Sequence, residues 1–308
     1  MAQQQRPGDV DPAQVKRRIG PIGVWTGVLG GQSAEFGRTV AAEVEELGYG
    51  ALWVGETARN KEALVHSAIL LGATRRMVVA TGIANIWVRD ATAAANGANA
   101  LAEAYDGRFL LGLGVSHAPL VSPRGHDYGR PLAAMRSYLD AMDGTEYDAP
   151  LPQRAPRVLA ALRPGMLELA ARRSAGAHPY FVTPEHTARA REILGPEPVL
   201  APEQAVVLDT DPESAREKAR RYTSRYLTLP NYVHNLRELG WAEADLSGAG
   251  SDALVDALVP WGDPETVAER VRAHHTAGAD HVCIQPLVDG PEELLPQLRT
   301  LAPLLLSP

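Results

Sequence analysis

Eight short apolar runs, separated by longer amphipathic stretches, limit what this chain can become. The runs are Ile19–Trp25, Ala51–Gly55, Met77–Ile83, Phe109–Val115, Arg157–Leu162, Ala177–Val182, roughly Gln204–Leu208, and His281–Gln285. Short apolar runs alternating with helical segments read as repeated βα units, which build a parallel sheet. The helical period is plain after the first run: Phe36, Val40, Val44 and Leu47 fall on one face, and Gly48 can end that helix. Asp90 is placed to cap a later, alanine-rich helix. Four segments open with proline and glutamate, at Pro184-Glu185, Pro212-Glu213, Pro264-Glu265 and Pro291-Glu292. Proline loses nothing at a first helical position, and a carboxylate beside it favours the positive end of the helix dipole. These pairs are punctuation and carry no chemistry.

Eight such units predict an α/β fold of the closed (β/α)8 TIM-barrel type. An open doubly wound sheet would need two of the runs to be false. The chain has 308 residues, more than the roughly 250 of an ordinary barrel. The longest excess is Tyr222–Trp261, an insertion between the seventh and eighth strands and a candidate lid. Residues 18–308 are expected to form one barrel domain behind a flexible leader, 1–17. That leader, rich in glutamine and charge, lacks the apolar centre of a signal peptide.

The formal net charge of −7 argues against a nucleic-acid partner. No apolar run reaches the roughly 18 residues of a membrane span. The single cysteine, Cys283, excludes an intrachain disulfide and fits a reducing, cytoplasmic setting. It lies inside the apolar eighth run and reads as a small buried hydrophobe. His66, His274 and His275 have no acidic or cysteine partner at ligand spacing, so no metal site is expected. The loop Gly27–Gly31 mimics a dinucleotide fingerprint but lacks its spacing, and there is no G-x-S-x-G elbow.

In a barrel the ligand site lies at the C-terminal ends of the strands. Three segments that contain such ends, VVATGIAN (78–85), RFLLGLGVSH (108–117) and VLAALRPGMLELA (158–170), together with WGDPETVAERVRAHHTAGADHVCIQP (261–286), resemble the luciferase-like barrel family. The nearest subgroup is that of the actinobacterial F420-dependent oxidoreductases. The resemblance runs from about Ile19 to Leu304. It implies a bulge with a non-proline cis bond, Gly82–Ile83, behind the ring of a deazaflavin or flavin, with Asn85 beside it. It implies ring-edge and phosphate contacts from Val115, Ser116 and His117. Phosphate binding is implied at Ala161, Leu162, Arg163 and Pro164. Where the family carries a pair of glycines this chain has Leu162 and Arg163, so the Arg163 guanidinium is expected to replace backbone amides. Glu56 and His117 are the candidates for acid–base work. Thr57 stands where many relatives carry a histidine, so the sugar-phosphate dehydrogenase activity of that branch is not carried over. Trp25 and Trp87 are candidate pocket walls, and Tyr226, Tyr232 and His234 candidate lid residues.

The resemblance therefore implies hydride transfer between coenzyme F420 and a small organic substrate. Two alternatives stand beside it: an FMN-dependent monooxygenase with a reductase partner, and a non-catalytic F420 binder. Relatives are often homodimers.

Overall fold

The computed structural model describes residues 11–306. Eight parallel strands surround one axis: β1 (Ile22–Thr26), β2 (Ala51–Val54), β3 (Val78–Thr81, resuming at Ala84–Asn85), β4 (Phe109–Gly114), β5 (Arg157–Leu159), β6 (Gly176–Ala177), β7 (Val199–Leu200, resuming at Glu203–Val206) and β8 (Val282–Pro286). Each strand pairs with its neighbour in sequence, and β8 pairs back onto β1. The first piece of β7 pairs with β6 and the second with β8, so β7 closes the circle. The barrel expected from the eight runs is therefore present.

Alternate residues on each strand divide between two cores, as the two-residue period of a strand requires. Trp25, Ala51, Trp53, Val78, Ala80, Leu110, Val158, Val199, Ala201 and Cys283 fill the interior. Val24, Leu52, Val54, Val79, Phe109 and Leu111 face the helical ring. That ring holds α2 (Ala34–Glu46), α3 (Ala63–Leu71), α4 (Ala91–Ala104), α5 (Pro131–Asp143), α6 (Pro164–Arg173), α7 (Pro184–Leu194), α11 (Pro264–Thr276) and α12 (Leu294–Leu305). Ser33 and Asp90 cap α2 and α4 through side-chain oxygens. Pro184, Pro212 and Pro264 each sit in a first helical turn.

Three boundaries are corrected. The leader expected over 1–17 is helical from Pro12: α1 (Pro12–Ile19) is capped by Asp11 and buries Val15 and Ile19. Both join the interior core, so α1 plugs the barrel floor and the first strand starts at Ile22, not Ile19. Residues 1–10 lie outside the described residues. The regular part of the sixth strand is only Gly176–Ala177; His178 N still bonds Leu159 O at 2.9 Å, but Pro179 has no amide to carry the ladder on. The seventh starts at Val199, five residues before the apolar signal, because Pro202 splits it.

Between β7 and α11 the chain forms α8 (Pro212–Tyr226), α9 (Pro230–Glu238) and α10 (Asp252–Leu258). These helices share a second core with Phe181, Ala205 and Val207 at the ends of β6 and β7. Trp261 bridges back to Val207. The insertion is thus packed onto the C-terminal rim. Among the described residues no helix is long and apolar enough to cross a membrane.

Candidate active site

The rim is shaped first at β3. Thr81 ends the first piece, the Gly82–Ile83 bond is cis as the resemblance implied, and pairing resumes at Ala84. Gly82 has no room for a side chain: a Cβ there would lie 2.4 Å from Trp25 Nε1 and 3.2 Å from His178 Nε2. The Trp25 indole donates to Gly82 O at 3.0 Å. Trp25 thus braces the underside of the bulge.

The glycines of β4 have a related purpose. A Cβ on Gly112 would meet Thr81 O at 1.9 Å, and one on Gly114 would meet Ile83 Cδ1 and Cγ1 at 2.5 Å and Ala160 at 3.3 Å. Glycine in a strand admits close approach, and here the approaching group is the chain's own bulge. Ile83 lies across Gly114 and beside Ala160. The product is a half-buried apolar shelf over the ends of β3, β4 and β5, flanked by Val115.

Polar groups border that shelf. Ser116 adopts a left-handed backbone (φ 56°), and Tyr128 donates to its carbonyl at 2.8 Å. The Trp87 indole donates to Val115 O at 3.0 Å, so Trp87 holds the loop. His117 packs its ring 5.2 Å from that of Tyr232. Burial lowers its pKa, so the imidazole is neutral near pH 7. Ala161 and Leu162 are buried, and His186 hydrogen-bonds Leu162 O at 2.7 Å. Pro164 starts α6. Arg163 is exposed at the rim and paired with Glu238 of α9 at 2.9 Å, which also meets Arg189 at 3.4 Å. Its guanidinium therefore already holds a carboxylate.

Glu56 stands differently from its expected acid–base role. One oxygen accepts from Asn85 N at 2.8 Å and the other from Ala63 N at 3.2 Å, and the carboxylate is ion-paired with Arg89. Its side chain is 3% exposed. The Asn85 side-chain oxygen is likewise occupied, accepting from Trp87 N at 3.0 Å. Thr57 is exposed, and Asn60 accepts from its amide at 2.8 Å. Glu56 and Asn85 thus hold the bulge from outside, as Trp25 does from inside.

A further set of residues lies in the barrel interior and was not singled out from the sequence. Trp53 stacks on His178 at 4.4 Å and donates to His281 Nε2 at 3.1 Å. His281 donates in turn through Nδ1 to Gly20 O at 2.7 Å. His178 donates through Nδ1 to Ala201 O at 2.7 Å, and its Nε2 has no partner among protein atoms. Burial lowers both histidines to about 4. Above them Tyr180 packs 5.2 Å from Trp25, and its hydroxyl bonds the Tyr226 hydroxyl at 2.8 Å and Gln285 Oε1 at 3.0 Å. Phe181, also left-handed (φ 59°), contacts Tyr222, Tyr226 and Tyr232. The Phe181 amide donates to Glu203 at 3.2 Å. Of the lid residues expected from sequence, Tyr226 and Tyr232 meet the mouth, whereas His234 is exposed on α9. A carboxylate at Glu203, on the same strand parity as Ala201, was the available signal for this interior group.

The model of the luciferase-like monooxygenase family matches residues 19–281. The chain belongs to that family. A stretch of 120 residues is 30% identical to a Mycobacterium tuberculosis protein that carries the name coenzyme F420-dependent oxidoreductase; it spans 39% of this chain and 34% of that relative. Among solved structures, an F420-dependent secondary alcohol dehydrogenase bound to an F420–acetone adduct superposes with TM-score 0.74 at 13% identity, over 93% of this chain and 99% of that one. The coenzyme F420-dependent tetrahydromethanopterin reductase of Methanopyrus kandleri gives 0.72 at 15%, over 92% and 98%. The FMN-bound oxygenating constituent of 3,6-diketocamphane monooxygenase of Pseudomonas putida gives 0.67 at 16%, over 94% and 99%. At these identities the structural likeness is one of fold.

Proposed function

We propose that the protein is an F420-dependent oxidoreductase that moves a hydride between the deazaflavin and a small organic substrate. The observation that carries this reading is the apolar shelf of Ile83 over Gly114, with Ser116, His117 and Arg163 following the ends of the same strands. Its chemistry suits a cofactor with a planar ring and an anionic tail. An apolar wall takes the ring, hydroxyl and imidazole groups serve its polar edge, and a guanidinium takes a phosphate. The 30%-identical relative points to the same cofactor.

When bound there, the cofactor supplies a two-electron hydride carrier. The chain's own residues do the rest. Trp25, Glu56 and Asn85 fix the bulge. Ile83 and Val115 support the ring. Neutral His117 and Ser116 serve its edge as hydrogen-bond partners. Arg163 exchanges Glu238 for the phosphate. Phe181, Tyr226 and Tyr232, with α8 and α9, exclude water from the mouth.

The test is a titration of the purified protein with F420 and, separately, with FMN, read by fluorescence and thermal stability. Micromolar F420 binding with little FMN response is expected. FMN preference would instead assign a monooxygenase served by a reductase. F420 binding with no turnover across substrates would leave a cofactor binder.

A further inference from the structure

Glu203 is the buried acid for which the assignment above has no use. It starts the second piece of β7 opposite Cys283 of β8, so its side chain enters the barrel interior just below the mouth. It is 1% exposed and, among the described residues, is paired with no cation. A buried carboxylate without a cation is costly, and the usual outcome is that the group keeps its proton. Burial pushes its pKa up to about 8. The titratable groups facing it are the hydroxyls of Tyr222, Tyr180, Tyr226 and Tyr232 and the Cys283 thiol, all held neutral by burial.

Those hydroxyls form a cluster. Tyr222 lies 3.4 Å from both Glu203 oxygens, and its ring stands 6.4 Å from that of Tyr180. Tyr180 meets Tyr226 and Gln285, and its ring packs on Trp25, which holds the bulge. The tyrosine cluster thus extends from an enclosed carboxyl to Trp25 beneath the bulge. The Glu203–Tyr222 separation is long for a hydrogen bond and the Tyr222 and Tyr180 hydroxyls are neighbours without one; the relay requires both contacts to tighten as a ligand closes the site, as catalytic hydrogen bonds do.

We propose that Glu203 is the internal proton store of the reaction, acting through Tyr222 and Tyr180 on the carbonyl oxygen of a small ketone or its alcohol product. This rests on the hydride-transfer reading above. In the reductive direction the carbonyl carbon gains a hydride from the reduced deazaflavin, which is oxidised by two electrons. The C=O π bond breaks, and the oxygen takes the Tyr180 proton. Tyr222 reprotonates Tyr180, and the Glu203 carboxyl reprotonates Tyr222 and becomes a carboxylate. The proton shed by the oxidised ring goes to solvent, and Glu203 regains one from solvent. Oxidation of the alcohol runs the same path backwards. Glu203 touches neither substrate nor cofactor; it sets the protonation of the tyrosine that does.

The competing role is a structural one, since Glu203 also accepts from the amide of left-handed Phe181. Glu203→Gln keeps that acceptor and loses the proton. The measurement is infrared titration of the wild-type protein and of Glu203→Gln, with and without F420, followed by pH profiles of F420-coupled cyclohexanone reduction. Expected is a carboxylic-acid band with a midpoint near 8 that is absent in the variant. Expected also is a roughly 100-fold loss of kcat, F420 affinity within about threefold, and loss of the alkaline limb. Tyr180→Phe should reproduce the kinetic loss while keeping the band. A Glu203 already ionised near neutrality overturns the proposal, as does a variant with unchanged kcat and pH profile. Cofactor binding without ketone turnover overturns its substrate class. Failure to bind F420 overturns the hydride-transfer reading, and the infrared band shows separately whether Glu203 stores a proton.

Discussion

Arg163 and Glu238 show how one residue can hold a place for a ligand. Arg163 is about half exposed, and pairs of that kind contribute about 0–1 kcal/mol. A phosphate can therefore displace the carboxylate at little cost, gaining a charge-assisted bidentate contact. Arg163→Gln should weaken F420 binding about tenfold. Glu238→Gln should tighten it two- to fivefold, because the competing anion is gone. Isothermal titration of both variants checks the pair; weaker binding in Glu238→Gln would show that the ion pair positions the rim and does not compete with the ligand. The sequence placed Arg163 at a strand end but could not show its partner, which lies 75 positions away on α9. The same limit applies to Gly112 and Gly114. Their sequence announces a close approach, yet only the fold shows that Thr81 and Ile83 make it.

At the scale of elements, Glu56 is a junction. It joins the end of β2 to the resumed β3 through Asn85 N, to the first turn of α3 through Ala63 N, and to the segment before α4 through Arg89. Removing one member of a nearly enclosed ion pair costs about 3–5 kcal/mol. Arg89 keeps Glu62 as a partner, which places Glu56→Ala near the lower end, about 3 kcal/mol. Glu56→Gln should cost less, since an amide oxygen can still accept from Asn85. Urea unfolding, read beside F420 affinity, separates the roles. A stable Glu56→Gln that binds F420 but does not turn over would restore the acid–base assignment. The β/α order was legible because long helices have an unmistakable period and a proline or capping residue at their start. The floor helix α1 was missed because a polar segment with two inward residues, Val15 and Ile19, carries little apolar signal. Strand β6 was drawn too long because the apolar stretch continues to Val182 while the ladder gives out at Pro179, which has no amide. Phe181 and Val182 are buried against the insertion instead.

For the whole molecule the barrel interior and its surroundings carry an unusual ionisation load, and its sign can be worked out. Burial holds His66, His178, His186 and His281 at about 4 and His274 at about 3, below the ordinary 6.5. Below pH 6.5 the unfolded chain takes up protons that these folded histidines refuse. Stability therefore falls as pH drops toward 4, by about 1.4 kcal/mol per pH unit for each histidine that stays neutral. Glu203 acts oppositely. Its folded pKa of about 8 lies above the ordinary 4.5, so the folded state holds the extra proton between those values. Its contribution is complete below 4.5 and is lost as pH rises toward 8. The two trends meet near pH 6.5. Denaturant unfolding across pH 5–9 should show a maximum there, with a steep acid side and a shallow alkaline side of at most one proton. Glu203→Gln should flatten the alkaline side and steepen the acid side by about one proton, because the wild-type carboxyl holds its extra proton on both sides of the maximum. An alkaline slope that persists in the variant would assign that proton to another group, and the interior store with it.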